Sequence, residues 1–310
     1  MADKMATRQA YGQVLVEIGA KNNDLVVMDA DLSKSTMTAE FAKAYPSRFF
    51  NMGIAETNMY AAAAGIAHTG KTVCASTFAM FAAGRAFEII RNSIGYTKAN
   101  VKICATHAGI TVGEDGATHQ TFEDLALMRT IPGMTVVNPS DGVSAKELIR
   151  QCVDMNGPCY IRLGRAAVPN FYAEDDEIVL GQGNMLRGGR DVTVIATGIM
   201  VAAAMEAAEE MAKEGVDVRV IDIHTIKPLD EEIIIRAAEQ TGKIVTAEEH
   251  SVIGGLGSAV AEVLVKNCPV PVRMVGQNDT FGESGKPDQL REKYGMTSKD
   301  IVAAVKELVK

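Results

Sequence analysis

Between His107 and Gln120 the chain gathers two histidines (His107 and His119), two adjacent carboxylates (Glu114 and Asp115) and three glycines. Imidazoles exchange protons near neutral pH, and carboxylates accept hydrogen bonds or bind cations. The stretch could therefore transfer protons, recognise hydroxyl groups or bind a metal. A metal held by His107, Glu114, Asp115 and His119 is one reading. The histidines stand twelve apart without a helical i, i+4 pattern, so the spacing supports no specific metal geometry. The preceding apolar run, 101–106, predicts a buried strand, and 121–128 predicts a helix start. Ligands of α/β proteins bind where strand ends meet helix starts.

Further candidates lie elsewhere. Glu56 sits in Asn51-Met-Gly-Ile-Ala-Glu56-Thr-Asn-Met59, where an apolar entry turns into an alanine-rich helix. A first-turn glutamate complements the helix dipole whatever its function. The small apolar residues around it allow a second reading, a carboxyl suited to proton exchange with a ring nitrogen. Phe78 and Phe81, three apart after Ala75-Ser-Thr77, have the spacing of a core-packing pair. Arg8, Arg162 and Arg165 fit ordinary surface charges, although Arg165 ends a strand-like run, where ligand sites cluster.

The elements that must position these residues alternate between short apolar runs and longer amphipathic stretches. Strands predicted at 25–28, 72–75, 101–106, 135–137 and 159–163 interleave with helices at 57–67, 78–94 and 142–152. That is the rhythm of βαβ units on a parallel sheet. Asn138-Pro-Ser-Asp-Gly142 is a turn followed by a helix start. Residues 169–189 turn polar and glycine-rich around the acidic run Glu174–Glu177, as a linker would. A second alternation follows, with strands at 192–196, 218–221, 243–247 and 272–275 and helices at 200–213, 230–240, 257–265 and 299–309. The expected fold class is α/β, with two open α/β domains at 1–180 and 190–310.

Hydrophobic residues make up 47% of the 310 and charged residues 23%, as in a soluble globular protein. The net charge of −8 argues against nucleic acid or an anionic membrane as the main partner, while leaving room for a small anion held by local arginines. Five cysteines without a C-x-x-C pair suit reduced, buried thiols. The first residues show no signal region, and no apolar run approaches the ~20 residues that span a bilayer. A cytoplasmic location is expected.

These pieces stand in one order. Gly53-Ile-Ala-Glu56, Thr77-Phe78-x-x-Phe81, the His107–Gln120 stretch and Asn138–Gly142 follow one another with transketolase spacing. Lys227-Pro-Leu-Asp230 and Glu248-Glu-His250-Ser-Val-Ile-Gly-Gly-Leu-Gly257 carry the match into the second half. The chain resembles the C-terminal section of a split thiamine-diphosphate-dependent transketolase: a pyrimidine-binding, parallel-sheet domain followed by a smaller transketolase C-terminal domain.

The resemblance implies roles. Glu56 would hydrogen-bond the aminopyrimidine ring nitrogen of thiamine diphosphate, favouring the imino tautomer that removes the thiazolium C2 proton. Phe81, with Phe78 beside it, would pack on the pyrimidine, and Asp31 would lie near the cofactor. His119 would sit by the cofactor's amino group and assist proton transfers, and Asp115 would bind a hydroxyl of the ketose donor. Arg8, Ser35, His107 and Arg165 would grip the sugar phosphate. The implied reaction moves a two-carbon ketol unit from a ketose phosphate to an aldose phosphate. Ala117 and Thr121 replace frequent prolines, and Thr57-Asn58 follow Glu56 where histidine is common. These departures leave the chemical groups intact and bear on substrate preference.

The family's Gly-Asp-Gly motif, which holds the diphosphate through Mg²⁺ or Ca²⁺, is absent from this sequence. No metal ligand is therefore expected in this chain. The implied assembly pairs it with a separate N-terminal section, two copies of each. Alternatives are the beta subunit of a 2-oxo acid dehydrogenase, another thiamine enzyme such as deoxyxylulose-phosphate synthase, or a non-catalytic regulatory or scaffold subunit. Retention of Glu56, His107, Asp115 and His119 argues against the last. His250 with Gly254–Gly257 forms a strand-to-helix turn that suits either an anion at a helix N-terminus or tight packing.

Overall fold

Seven strands carry most of these residues at their ends. In the computed structural model, which describes residues 4–310, strands Phe49–Asn51, Leu25–Asp29, Thr72–Phe78, Val101–Thr106, Cys159–Arg162, Thr135–Val137 and Thr225–Lys227 lie side by side in that order. The first six run parallel and the last antiparallel. Alternation along each strand sends side chains to opposite faces. Leu25 and Val27 meet Tyr11, Val14, Leu148 and Ile149 of helices Thr7–Lys21 and Gly142–Asp154. Val26 and Met28 join the cluster of Met59 and Ala63, from helix Glu56–Ala67, and Ile90. A sheet covered on both faces needs apolar residues at every position, which is why these strands read as continuous apolar runs.

The single helix expected at 78–94 is replaced by something less regular. Pairing with Thr106 draws Phe78 into its strand. The helical backbone beyond breaks at Ala86 and widens into five-residue turns over Phe81–Arg85 and Ile90–Tyr96. Wide turns of this kind recur at functional sites.

The second sheet orders Val272–Gln277, Ile244–Ser251, Val192–Ala196, Val218–Asp222 and Asn184–Arg187, parallel except for the last. Val194, Val220 and Val245 face Met200, Ala204, Ile301 and Val305 of helices Met200–Lys213 and Ser298–Val309. Ile195, Ile221 and Ile244 face Ile234, Ala237, Leu256 and Val260 of helices Glu231–Thr241 and Leu256–Asn267.

Two features depart from the sequence reading. The expected linker contains a strand of the second sheet, Asn184–Arg187, and Ala167–Pro169 pairs with Lys4–Ala6 near the start of the chain. Thr225–Lys227, far along the chain, closes an edge of the first sheet against Thr135–Val137. Each piece is three or four residues long, too short for a period, and its partner is distant in sequence. Among the described residues no helix is long and apolar enough to cross a membrane.

The turn Asn138–Gly142 sits on the seam between the sheets. The Asn138 backbone N–H donates to the His224 carbonyl at 2.8 Å. Ser140 Oγ and Tyr172 OH donate to Asp222 Oδ2 at 2.5 and 3.0 Å. Burial pushes the Asp222 carboxyl up to about 7.

Candidate functional site

The carboxyl ends of the central strands deliver the candidate residues to one edge. His107 follows strand Val101–Thr106 with φ at 57°, a left-handed turn that folds its ring back onto Phe78. The two rings stack with centroids 3.9 Å apart. Arg8 NH1 lies 3.3 Å from His107 Nε2, and Thr106 Oγ1 lies 2.9 Å from Nδ1. Arginine only donates, so Nε2 is the acceptor and the proton sits on Nδ1. Burial, then the charges of Arg8, Arg165 and His119, push the His107 pKa down to about 3, so the imidazole stays neutral.

The same Arg8 NH1 donates to the Ser35 carbonyl at 2.7 Å, and Arg8 Nε is buried without a partner. Burial and the facing Arg165 press the Arg8 pKa below its ordinary value. Two guanidiniums brought together around a neutral imidazole favour an anion between them. Arg8, Ser35, His107 and Arg165, spread widely in sequence, thus share one corner.

Arg165 also donates to the Val112 carbonyl and lies 3.7 Å from both Glu114 Oε2 and Asp115 Oδ2. Asp115 is exposed and shares this neighbourhood. His119 accepts or donates at Nδ1 to Thr118 Oγ1 at 3.0 Å, and its ring stands edge-on to Phe81 at 5.3 Å and Phe78 at 6.3 Å. Phe78 and Phe81 stack at 5.8 Å. Phe78 is buried, as core packing requires, yet it is packed against two imidazoles.

Glu56 is the first residue of its helix and only 3% exposed. Arg85 NH1 meets Glu56 Oε2 at 3.2 Å, while the Arg85 guanidinium lies over the Phe81 ring, 5.2 Å from its centroid. Arg85 escaped the sequence reading because it belongs to no motif considered there. Its one available signal was helical spacing from Phe81. Asp31, at φ 65°, exchanges hydrogen bonds of 3.1 Å with Asn51, whose Oδ1 also accepts from the Gly53 N–H. Asp31 is thereby tied to the turn that leads into Glu56.

The second domain braces the His107–Gln120 loop from behind. The Thr111 N–H donates to Glu249 Oε1 at 2.7 Å, and Gln120 Nε2 donates to the Glu283 carbonyl at 2.9 Å. Gly109, at φ +79°, is required here, because a Cβ would fall 2.3 Å from the Glu249 carboxyl carbon. Arg162, expected on the surface, is instead 3% exposed. It donates to Asp124 at 2.8 and 3.2 Å and to the Glu249 carbonyl at 2.9 Å. Burial alone would raise the Asp124 pKa, but the Arg162 guanidinium overrides it and holds the carboxyl low. At the glycine-rich turn the helix N-terminus is already filled by a carboxyl of this chain. Glu248 accepts from the Leu256 and Gly257 N–H groups at 2.7 and 2.8 Å.

Among the described residues no group of three or more His, Cys, Asp or Glu side chains converges to hold a metal. His107 has no ring nitrogen free for one, since Arg8 and Thr106 engage both. The residues do fit a flat heteroaromatic ring. A buried carboxyl stands beside stacked phenylalanines, and Oε1 of Glu56 makes no hydrogen bond among the described residues. A cavity of about 640 Å³ lies elsewhere, lined by Glu17, Lys146, Arg150 and Asp176 among others, and includes none of these residues. Ile54 and Phe50, 76% and 45% exposed, flank the entry to Glu56.

Comparison with known proteins places the chain among transketolases. Residues 3–170 match the pyrimidine binding domain of transketolase, and residues 181–301 match the transketolase C-terminal domain. A putative transketolase C-terminal section of Methanocaldococcus jannaschii is 49% identical over 306 residues, covering 98% of this chain and 96% of the relative. The 6-deoxy-6-sulfo-D-fructose transketolase subunit SqwH of Clostridium sp. is 45% identical over 301 residues, covering 97% and 94%. A solved split-gene transketolase, an inactive beta4 tetramer, superposes with a TM-score of 0.93 at 56% identity, over 98% of each chain.

Proposed function

The chain belongs to the transketolase family, and from that premise we propose that it is one subunit of a two-chain, thiamine-diphosphate-dependent transketolase. The observation that carries the reading is the unbroken row Glu56, Arg85, Phe81, Phe78, His107, Arg8, each in contact with the next. One end of the row suits a pyrimidine and the other an anion.

When bound, thiamine diphosphate supplies the nucleophilic carbon that carries the two-carbon ketol unit. Glu56 holds a proton at the pyrimidine ring nitrogen through Oε1. Phe81 offers the ring an apolar surface and keeps water from it. His119, beside Phe81, can pass a proton without leaving that surface. Asp115 accepts a donor hydroxyl, and Arg8 and Arg165 fix the anionic end of the sugar with neutral His107 between them. These contacts orient the substrate, which is where much of the rate of such transfers originates.

The separate N-terminal section would cover Ile54 and Phe50 and hold the diphosphate through Mg²⁺ or Ca²⁺, two copies of each chain making two sites. The sugar phosphates of carbohydrate metabolism are the proposed substrates. The free cysteines, four of them buried, suit the cytoplasm. A 2-oxo acid dehydrogenase subunit would have no use for the paired arginines, because its substrates lack a terminal phosphate.

Reconstitution tests the proposal. The isolated chain is expected to be inactive, and adding the partner, thiamine diphosphate and Mg²⁺ should give ketol transfer from a ketose phosphate to ribose 5-phosphate. Robust activity of the chain alone would sink the two-chain reading. Turnover of pyruvate with an electron acceptor, in place of ketol transfer, would favour the dehydrogenase.

A further inference from the structure

Arg85 touches two of the residues of this chain that the thiamine reading sets against the pyrimidine, Glu56 and Phe81. It meets Glu56 Oε2 at 3.2 Å and covers the Phe81 ring at 5.2 Å. The pair is asymmetric: the Glu56 side chain is 3% exposed and that of Arg85 57%. The guanidinium therefore keeps most of its hydration while it stabilises a buried carboxyl, which lowers the desolvation cost that makes buried pairs weak. Lying over an aromatic face restrains the guanidinium as well.

We propose that Arg85 is a positioning residue that aims Glu56, occupying Oε2 so that Oε1 alone faces the ring nitrogen of the cofactor. This rests on the thiamine reading above. Glu56 opens its helix, where unpaired first-turn N–H groups compete for a carboxylate. Without Arg85 the carboxyl is free to turn back toward them. The contact also sets a positive charge behind the carboxyl. A proton shared between Oε1 and a ring nitrogen is then drawn toward the ring, the side on which it assists the reaction. The alternative is an exposed ion pair of little consequence, as surface pairs often are.

The two accounts part in the assembled complex. Arg85→Met should lower kcat about ten- to hundredfold, the range expected for one charge-assisted hydrogen bond to a reacting group. KM for the sugar phosphates should stay within about threefold, since Arg85 lies away from the Arg8–Arg165 corner. The pH at which the circular dichroism of bound thiamine diphosphate titrates should move by about one unit, a readout that does not depend on turnover. Arg85→Lys should restore most of both. Wild-type kcat and an unmoved titration in Arg85→Met would overturn the inference, as would equal losses in Met and Lys with no shift in titration. If methionine prevents assembly, Arg85→Gln, which keeps the polar side chain and drops the charge, carries the same comparison. A wild-type complex without thiamine-dependent ketol transfer overturns the underlying reading instead, and so separates the two.

Discussion

Glu249, in the second sheet, accepts the backbone N–H of Thr111, in the His107–Gln120 loop of the first domain, at 2.7 Å. Gly109 lies directly on the Glu249 carboxyl with no room for a Cβ. A residue from one domain thereby fixes the backbone that runs from His107 to Asp115 in the other. The C-terminal domain is part of the site's construction although it supplies none of the groups proposed to touch substrate.

Glu249→Ala should therefore act through the loop. A buried N–H left without its acceptor costs about 1–3 kcal/mol, and the loop should loosen. The expected result is a drop in kcat/KM for the phosphorylated donor of about tenfold or more, with a lower melting temperature. Glu249→Gln, which keeps an acceptor oxygen, should recover much of both. Steady-state kinetics on the reconstituted enzyme with paired thermal melts checks this, and an Ala variant with unchanged kcat/KM would contradict it.

The Asp124–Arg162 pair on the same seam should be costly to break on one side only. Arg162→Met leaves the Asp124 carboxylate fully buried with Tyr160 OH as its main partner, at 2.8 Å. Removing one member of such a pair destabilises by about 3–5 kcal/mol, whereas removing both is often far milder. Denaturant unfolding of Arg162→Met, Asp124→Asn and the double variant should show strong non-additivity.

His107 should not titrate near neutrality. With its folded pKa at about 3, below the ordinary 6.5, the folded protein refuses a proton that the unfolded chain accepts. The stability it contributes is present above pH 6.5 and is lost as pH falls from there toward 3. His224 and His250, both pushed to about 4 by burial, act with the same sign. Asp222 and Glu248, raised to about 7, act with the opposite sign, their contribution lost as pH rises through 7. A global melting curve mixes these, so the clean measurement is the His107 imidazole resonance by NMR. It should stay at its neutral position from about pH 5 to 8.

Much of this arrangement was legible in the sequence, for identifiable reasons. The buried parallel strands announce themselves because strands covered on both faces must be apolar throughout. Helices such as Gly142–Asp154, Glu231–Thr241 and Ser298–Val309 do so because each has one apolar face, whereas Thr7–Lys21, with little difference between its faces, gives no such signal. Six of the ten candidate site residues lie in the ordered motifs, and the fold brings Arg8, Asp31, Ser35 and Arg165 to the same edge from outside them. Arg162 and Arg85 were less visible because what they do depends on Asp124 and Glu56, partners that only the folded chain brings close. The edge strand Thr225–Lys227 and the Glu249 brace were hidden for the same reason: three residues carry no period, and a glutamate carries no sign of which backbone it will hold. The glycine-rich turn was open to two readings, and its own Glu248 decides for packing.

The surface around Ile54 should be where the partner chain binds, since Ile54, at 76% exposed, is the most exposed apolar residue beside Glu56. It sits between Gly53 and Glu56 in the turn tied to Asp31 through Asn51, so a partner that covers it also closes over the carboxyl. Ile54→Asp puts a charge where a partner would exclude water, and apolar anchors of this kind carry much of an interface's energy. Its solvated side chain makes little contact within this chain, so the melting temperature of the isolated chain should stay nearly unchanged. Association with the N-terminal section, followed by analytical ultracentrifugation or calorimetric titration, should weaken by about tenfold or more. Activity should return in part when the partner is raised to excess, because the groups that do the chemistry are untouched. Unchanged association would place the interface elsewhere and leave the exposure of Ile54 and Phe50 without a purpose.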